Sequence, residues 1–442
     1  MILIKNAYLK TIADGDVENG CVLIGDDGKL AAVGKDIEAP EGAEIIDAEG
    51  RLVTPGLVEA HCHIGGTEPL IGWAGSDINE STDPITPQMR MIDGINPMSP
   101  DFENARRGGV TAVCVAPGSA NIIGGTACAI KTYGNRVDDM VIKDPVAMKC
   151  AFGENPKSAY GQSAKKAPKT RMSIAALFRE TLYNARAYSE SKDAGNDVKL
   201  DMKLEALIPV IKGELPLKAH AHRTDDIFTA IRIAKEFNLK MTLDHCTYGH
   251  LIADQLAQEG YPALVGPSFG GRSKSELEHK CFDTAGVLYN AGVEISIITD
   301  ATVTPIENLS TFAGMAVCNG LPYEEAWKAI TINPARALGI LDRVGSLEVG
   351  KDADVVIWTA DPLTTVGAMA YRTYIDGKLT FECSKVRKVS LITEGRRRAA
   401  LTGDITSGEF EIKENDGYFR LRFEDSEGRC AYTQAYDLCD ME

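Results

Sequence analysis

The chain has 442 residues, of which 44% are hydrophobic and 25% charged, and its 47 Lys and Arg against 63 Asp and Glu leave a net charge of −16. That is more than one small domain and room enough for a barrel of about 250 residues with further structure beside it. The acidic balance argues against nucleic-acid binding, which favours basic faces, and no apolar run approaches the roughly 18 residues of a membrane span.

Residues 1–55 carry short apolar stretches at 1–5, 21–24, 30–33 and 44–46, separated by turn signals such as Asp26-Asp27-Gly28 and Glu49-Gly50, and read as strands. From 56 onward, strand-like and helix-like stretches alternate, which argues for parallel α/β architecture. Strands are expected at 109–115, 127–132 and 146–152. Thr224-Asp225-Asp226 is expected to open a helix running to Phe237, with Ile227, Ala230, Ile231 and Ala234 on its apolar face. Leu321-Pro322 and Asn333-Pro334 mark two later helix starts. Two long stretches, 64–100 with Trp73 and 153–175 with Lys165, Lys166, Lys169 and Arg171, lack regular patterning and read as loops over a barrel mouth. Further strands are expected at 353–358 and 371–377. A β-rich extension follows over 386–442, with strands near 408–412 and 418–423. The eleven Cys are irregularly spaced, and Cys114, Cys128 and Cys150 sit in apolar runs. They read as buried free thiols of a reducing compartment, and no secretory leader pattern opens the chain. The expectation is a soluble, cytoplasmic protein that forms a homo-oligomer.

The chemistry concentrates in histidines. Only seven are present, and five fall in three strand-like stretches. Val58 to His63 reads as a buried strand entered through Thr54-Pro55-Gly56-Leu57, so His61 and His63 share one face while Cys62 points opposite. The second stretch ends Lys218-Ala219-His220-Ala221-His222, and the third ends Leu243-Asp244-His245. An acid, Asp300, closes a fourth apolar run. His250 and His279 lie in polar context and read as solvated. Imidazoles with a carboxylate suit zinc, manganese, iron or nickel better than calcium or magnesium.

Thr54-Pro55-Gly56-Leu57, His61-Cys62-His63, the later strand-end histidines and Asp300 resemble the amidohydrolase superfamily, in particular its imidazolonepropionase-like and Xaa-Pro dipeptidase-like branch. The resemblance covers roughly 1–385. It implies a (β/α)8 TIM barrel over 56–342, beside a small β-sandwich composed of 1–55 and 343–385. It also implies one or two divalent transition-metal ions, zinc first, held by His61, His63, His220, His245 and Asp300. His222 shares a face with His220. His220 is assigned to metal and His222 to substrate or to a neighbouring ligand, and the reverse assignment stays open. Lys149 ends an apolar strand, where an ammonium is costly unless paired or neutralised. Members of the resembled branch carbamylate a lysine here to bridge two ions; pairing with Glu154 is the ordinary alternative. Imidazolonepropionases proper do not depend on such a lysine, which shifts the reading towards the dipeptidase-like group.

The implied reaction is hydrolysis of an amide or peptide C–N bond in a dipeptide, N-acyl amino acid or cyclic amide by metal-activated hydroxide. Asp300 moves the proton and His222 steadies the oxyanion. Arg223, Asn121 and Tyr133 are candidate substrate contacts. A deaminase of a heterocycle would use the same ligands, and a metal-free scaffold is the reading from outside enzymology.

Overall fold

Antiparallel neighbours can be joined by a turn, whereas parallel strands need a crossover of about a dozen residues or more. In the computed structural model, which describes residues 1–68, 71–382, 386–393, 396–405, 410, 418–425, 430–433 and 436–437, that rule shapes the central barrel. Its eight strands are β1 (Leu57–Cys62), β2 (Val110–Val115), β3 (Ile123–Lys131), β4 (Val141–Ala151), β5 (Leu217–Ala221), β6 (Met241–His245), β7 (Ala263–Val265) and β8 (Ile295–Ile297), paired in that spatial order. Long crossovers separate β1 from β2 and join β4 through β8, and those pairs are parallel. Only residues 116–122 and 132–140 separate β2, β3 and β4, and both of these pairs are antiparallel. The barrel expected from the sequence is therefore present, with its third strand reversed.

Among the described residues β8 and β1 share no ladder, and two devices close the seam. Below, the backbone at 329–330 bonds both sides, Ile297 N donating to Ala329 O and Val58 N to Ile330 O, each at 2.9 Å. Above, the buried Glu59 carboxylate accepts from His61 N (2.9 Å) on one side and from Thr299 N (2.8 Å) and Thr299 Oγ1 (2.7 Å) on the other. Burial pushes the Glu59 carboxyl up to about 7, against the pull of those donors.

Strands from both ends of the chain form one second sheet of eight: Ile2–Lys10, Asp16–Ile24, Leu30–Gly34, Glu44–Asp47 and Leu52–Pro55 pair with Val355–Trp358, Ala370–Ile375 and Lys378–Glu382. The join is antiparallel, Thr54 opposite Val356. Ile4, Leu9, Val22, Ile24, Val53, Val355 and Ile357 give this sheet a core of its own. Since Leu57 follows one residue after that sheet, the first histidine-bearing strand enters the barrel directly from a packed base.

The helix Thr224–Phe237 buries Ile227, Ala230, Ile231 and Ala234 as its spacing predicts, and ends at Asn238 in the left-handed conformation that suits a C-cap. Residues divide into two compact units, Met1–Phe381 and Glu382–Glu442. In the second, Val386–Thr393, Arg396–Ile405, Tyr418–Glu424, Cys430–Tyr432 and Tyr436–Asp437 form an antiparallel sheet. The strand expected over 408–412 falls outside the described residues apart from Phe410. Among the described residues no helix is long and apolar enough to cross a membrane, and Cys21, Cys62, Cys114, Cys128, Cys150, Cys246, Cys281 and Cys318 are free thiols.

Candidate active site

Strand alternation places Glu59, His61 and, one residue past β1, His63 on the barrel interior, while Cys62 packs into the apolar layer, where burial pushes its thiol well up. The His61 and His63 rings meet edge to face with centroids 5.2 Å apart. His220, His222 and His245 close the other side, with centroids 4.5–4.8 Å apart. Asp300 stands between, its Oδ1 3.4 Å from His61 Nε2 and 3.3 Å from His63 Nε2. Its Oδ2 lies 4.0 Å from His245 Nδ1. The five strand-end histidines, Lys149 and Asp300 all converge at the mouth formed by the C-terminal ends of the parallel strands, where barrel enzymes do their chemistry.

The hydrogen bonds on the far side of each ring decide which nitrogen faces inward. His63 Nδ1 lies 2.8 Å from Ala116 O and His245 Nδ1 2.8 Å from Gly266 O. A carbonyl only accepts, so both Nδ1 atoms carry the proton and both Nε2 atoms present a lone pair. His61 Nδ1 is 2.9 Å from the Asp244 carboxylate, with the same consequence. Asp244 is itself pinned by Lys218 Nζ (3.3 Å) and by Thr242 Oγ1 (2.9 Å), and Lys218 also donates to Ala60 O (2.9 Å). Burial opposes its charge, but Lys218 and His61 outweigh that and hold its carboxyl well below the ordinary value. Burial lowers the pKa of His61, His220 and His222, and takes His245 down to about 3, so these rings are neutral.

Neutral rings with inward lone pairs are what a transition metal needs. Candidate donor atoms of His61, His245 and Asp300 lie within 4.8 Å of one another, as do those of His220, His222 and His245. The buried Nδ1 of His220 has no hydrogen-bond partner among the described residues, an arrangement that costs about 1–3 kcal/mol unless something occupies it. His222 is held at Nδ1, 2.7 Å from Thr247 Oγ1, and its Nε2 lies 3.7 Å from Glu276 Oε1. The donor set therefore fits a bound cation.

Lys149 is wholly buried, with Nζ 3.2 Å from His61 Nε2. Among the described residues it forms no salt bridge, with Glu154 or otherwise; Glu154 accepts instead from Ser275 Oγ at 3.1 Å. Burial takes its pKa down to about 8, although Asp244 and Asp300 pull the other way.

Backbone geometry marks the same spot. His245 (φ 76°), Cys246 (φ 45°) and Asp300 (φ 54°) occupy the left-handed region without being glycine, a conformation that costs of order 1–3 kcal/mol each and collects at functional sites.

Not every candidate arrives. Tyr133 lies at the opposite end of the barrel: β3 runs antiparallel, so the residues after it sit beside the start of β2, with Thr132 Oγ1 donating to Val110 O at 2.8 Å. Its ring packs against Arg106. Asn121 is buried and directs its amide nitrogen to Glu80 O, Asp83 O and Thr86 Oγ1, each at 2.9 Å, which makes it a brace for that loop. Arg223 follows His222 at the rim with its guanidinium on Asp225 at 3.0 and 3.1 Å. His279 is exposed as expected, but His250 is half-buried, its Nδ1 3.1 Å from Thr284 Oγ1 and 3.5 Å from Cys281 Sγ.

Asp244, Lys218, Glu276 and Glu59 have no motif of their own, since their partners lie far away in the chain. The only hint was an acid beside a strand-end histidine. The two long insertions also differ from free lids: Tyr160 OH donates to Glu80 O (2.8 Å) and Asp83 O (2.9 Å), fastening one insertion to the other.

A model of the amidohydrolase family matches residues 52–380 of this chain. Amidohydrolase tasK of Hapsidospora irregularis is 32% identical over 78% of this chain, which spans only 38% of that longer protein. An imidazolonepropionase of Mesorhizobium japonicum is 26% identical, over 80% of this chain and 91% of its own length. The crystal structure of an amidohydrolase from Thermotoga maritima MSB8 superimposes with a TM-score of 0.83 at 40% identity, covering 87% of this chain and all of that one. The match takes in the first strand-end pair, the histidine cluster and Asp300 together: the chain belongs to the amidohydrolase family, hydrolases of carbon–nitrogen bonds.

Proposed function

We propose that this chain is a metal-dependent amidohydrolase that cleaves a C–N amide or peptide bond in a small substrate, a dipeptide, N-acyl amino acid or cyclic amide. The observation that supports it most is the set of inward Nε2 lone pairs on His61, His63 and His245, fixed by acceptors behind each ring, around the Asp300 carboxylate. On this reading residues 56–342 form the catalytic barrel, 1–55 with 343–385 its supporting sheet, and 386–442 an appendage. The free thiols fit a cytoplasmic setting.

His61, His63, Asp300, His220, His245 and a carbamylated Lys149 would hold one or two divalent ions, zinc first. A metal ion there supplies a lowered pKa for water and Lewis acidity towards a carbonyl. Asp300, half-buried among imidazoles, takes the proton of the attacking water and passes it to the leaving nitrogen. His222 is assigned to the oxyanion rather than to metal. Its Nδ1 lies 2.7 Å from Thr247 Oγ1, and with that hydroxyl as donor the ring proton sits on Nε2, free to meet an oxyanion. Arg223 at the rim remains the candidate contact for the substrate's outer end.

Chelation is expected to abolish hydrolysis, read as amine or ammonia release from a panel of dipeptides, N-acyl amino acids and cyclic amides; ammonia alone from a heterocycle would identify a deaminase instead. His220→Ala should reduce bound metal in elemental analysis, while His222→Ala should keep the metal and lower kcat. Metal loss confined to the His222 variant reverses the two roles, and full activity of metal-free protein refutes the reading.

Asp244→Asn tests the support behind His61. An amide cannot compel the proton onto His61 Nδ1, so metal affinity should fall about 10–100-fold in a competition titration. The change also strips Lys218 of its counter-ion, a loss of about 3–5 kcal/mol in urea unfolding. Unchanged affinity would separate Asp244 from ligand orientation.

A further inference from the structure

Between Glu154 and Glu180 the chain carries no acid at all, although acids outnumber bases 63 to 47 overall. The same stretch lines a cleft of about 1050 Å³ in which Lys157, Lys165, Lys166, Lys169 and Arg171 face a single carboxylate, Glu154. Two of these cations are accounted for: Arg171 Nε pairs with Asp226 at 2.9 Å, and Lys166 reaches Thr82 O and stands over the Tyr160 ring. Among the described residues Lys157, Lys165 and Lys169 meet no carboxylate. Like charges are gathered here at a cost in mutual repulsion, where an ordinary solvated face would intersperse acids.

The segment is also built to hold its shape. Lys157–Ser163 winds as a π-helix, a rare form that recurs at functional sites. Gly161 is the close-approach point, since a Cβ there would lie 2.8 Å from Lys169 Cα. Tyr160 anchors the turn to the neighbouring loop.

This cleft shares a wall with the histidine pocket, whose histidines, Lys149 and Asp300 do not line it. Glu154 N donates to Glu276 Oε2 at 2.9 Å, and Glu276 faces His222. Asn155 Nδ2 lies 3.3 Å from His220 Nε2, while its Oδ1 accepts from Lys274 Nζ at 2.8 Å. Glu154 and Ser275 therefore line the cleft and back the pocket at once.

We infer that the cleft is an anion-binding extension of the active site, taking the part of the substrate remote from the scissile bond, a group with at least two negative charges as carboxylates or a phosphate. The inference rests on the proposed hydrolase reading for the word substrate, but not for binding. One exposed Lys–carboxylate pair contributes only about 0.2–1 kcal/mol, so a monoanion would be held poorly and several converging cations are needed. The volume suits a small ligand, and the overall charge of −16 disfavours nucleic acid as occupant.

The test is calorimetric titration of the metal-loaded full chain, at low salt, with tricarballylate, with glycerol 2-phosphate and with the uncharged triamide of the first. One or both anions should bind at one per chain, the triamide should not, and which anion binds better names the source chemistry. Lys165→Ala/Lys169→Ala should weaken binding about tenfold, as should raising salt to about 0.3 M, with metal content unchanged in both. Failure of both anions to bind, or equal binding by the double variant, overturns the inference. Anion binding without hydrolysis of any amide would instead sink the proposed function and leave this site standing.

Discussion

Asp300→Asn is expected to lower kcat by about 10²–10⁴-fold with little change in the circular dichroism spectrum. The asparagine side chain has nearly the same shape, so the contacts of Asp300 with His61 and His63 at 3.3–3.4 Å can be filled sterically. What is lost is charge and basicity. The backbone presents the side chain rigidly: Asp300 sits at φ 54°, Val303 N donates to its carbonyl at 2.7 Å, and the preceding Thr299 is clamped by Glu59. A neutral amide in this frame can neither accept the proton of water nor return it to a leaving nitrogen. On the proposed role in proton transfer, KM should move less than kcat. Wild-type turnover in the Asn variant would remove Asp300 from the proton path.

Periodicity explains why so much of this arrangement could be read without coordinates. A period of two puts His61 and His63 on one side whatever the rest of the chain does, and the strand-end positions of His220, His245 and Asp300 follow from short apolar runs bounded by polar loops. Strand direction is different, because it depends on the length of the connection as well as on the strand. The strand around 127–132 was recognisable as a strand, but its reversal moved Tyr133 to the wrong end of the barrel. Asn121 shows another limit. A polar residue near a mouth can serve the loops as readily as a ligand, and only its partners at 2.9 Å tell which. The groups behind the histidines, Asp244 at His61 and Glu276 near His222, come from distant segments with no local pattern.

Lys149→Ala should abolish most activity and remove at least one metal ion, the largest loss expected from any residue outside the histidines. A wholly buried ammonium 3.2 Å from His61 Nε2 cannot ligate a cation and would repel one. The neutral amine can add to CO2, forming an N–C bond and releasing one proton, and the carbamate oxygens then bring negative charge to the place where cations need it. Burial already moves the lysine in this direction. With a pKa of about 8 rather than the ordinary 10.5, the neutral fraction at pH 7 is about a tenth, against about one in several thousand for a free lysine. Because the pKa is lowered, the reactive form is gained as pH rises through about 8. Metal-free protein reconstituted with metal under a fixed pressure of CO2 should therefore recover on the order of tenfold or more faster at pH 8 than at pH 6. Intact mass of the metal-loaded protein should show the added CO2, stripping the metal should release it, and short carboxylic acids should partly rescue the Ala variant by filling the vacated space. An unmodified Lys149 together with an active Ala variant would leave it a buried neutral amine beside a single-ion site.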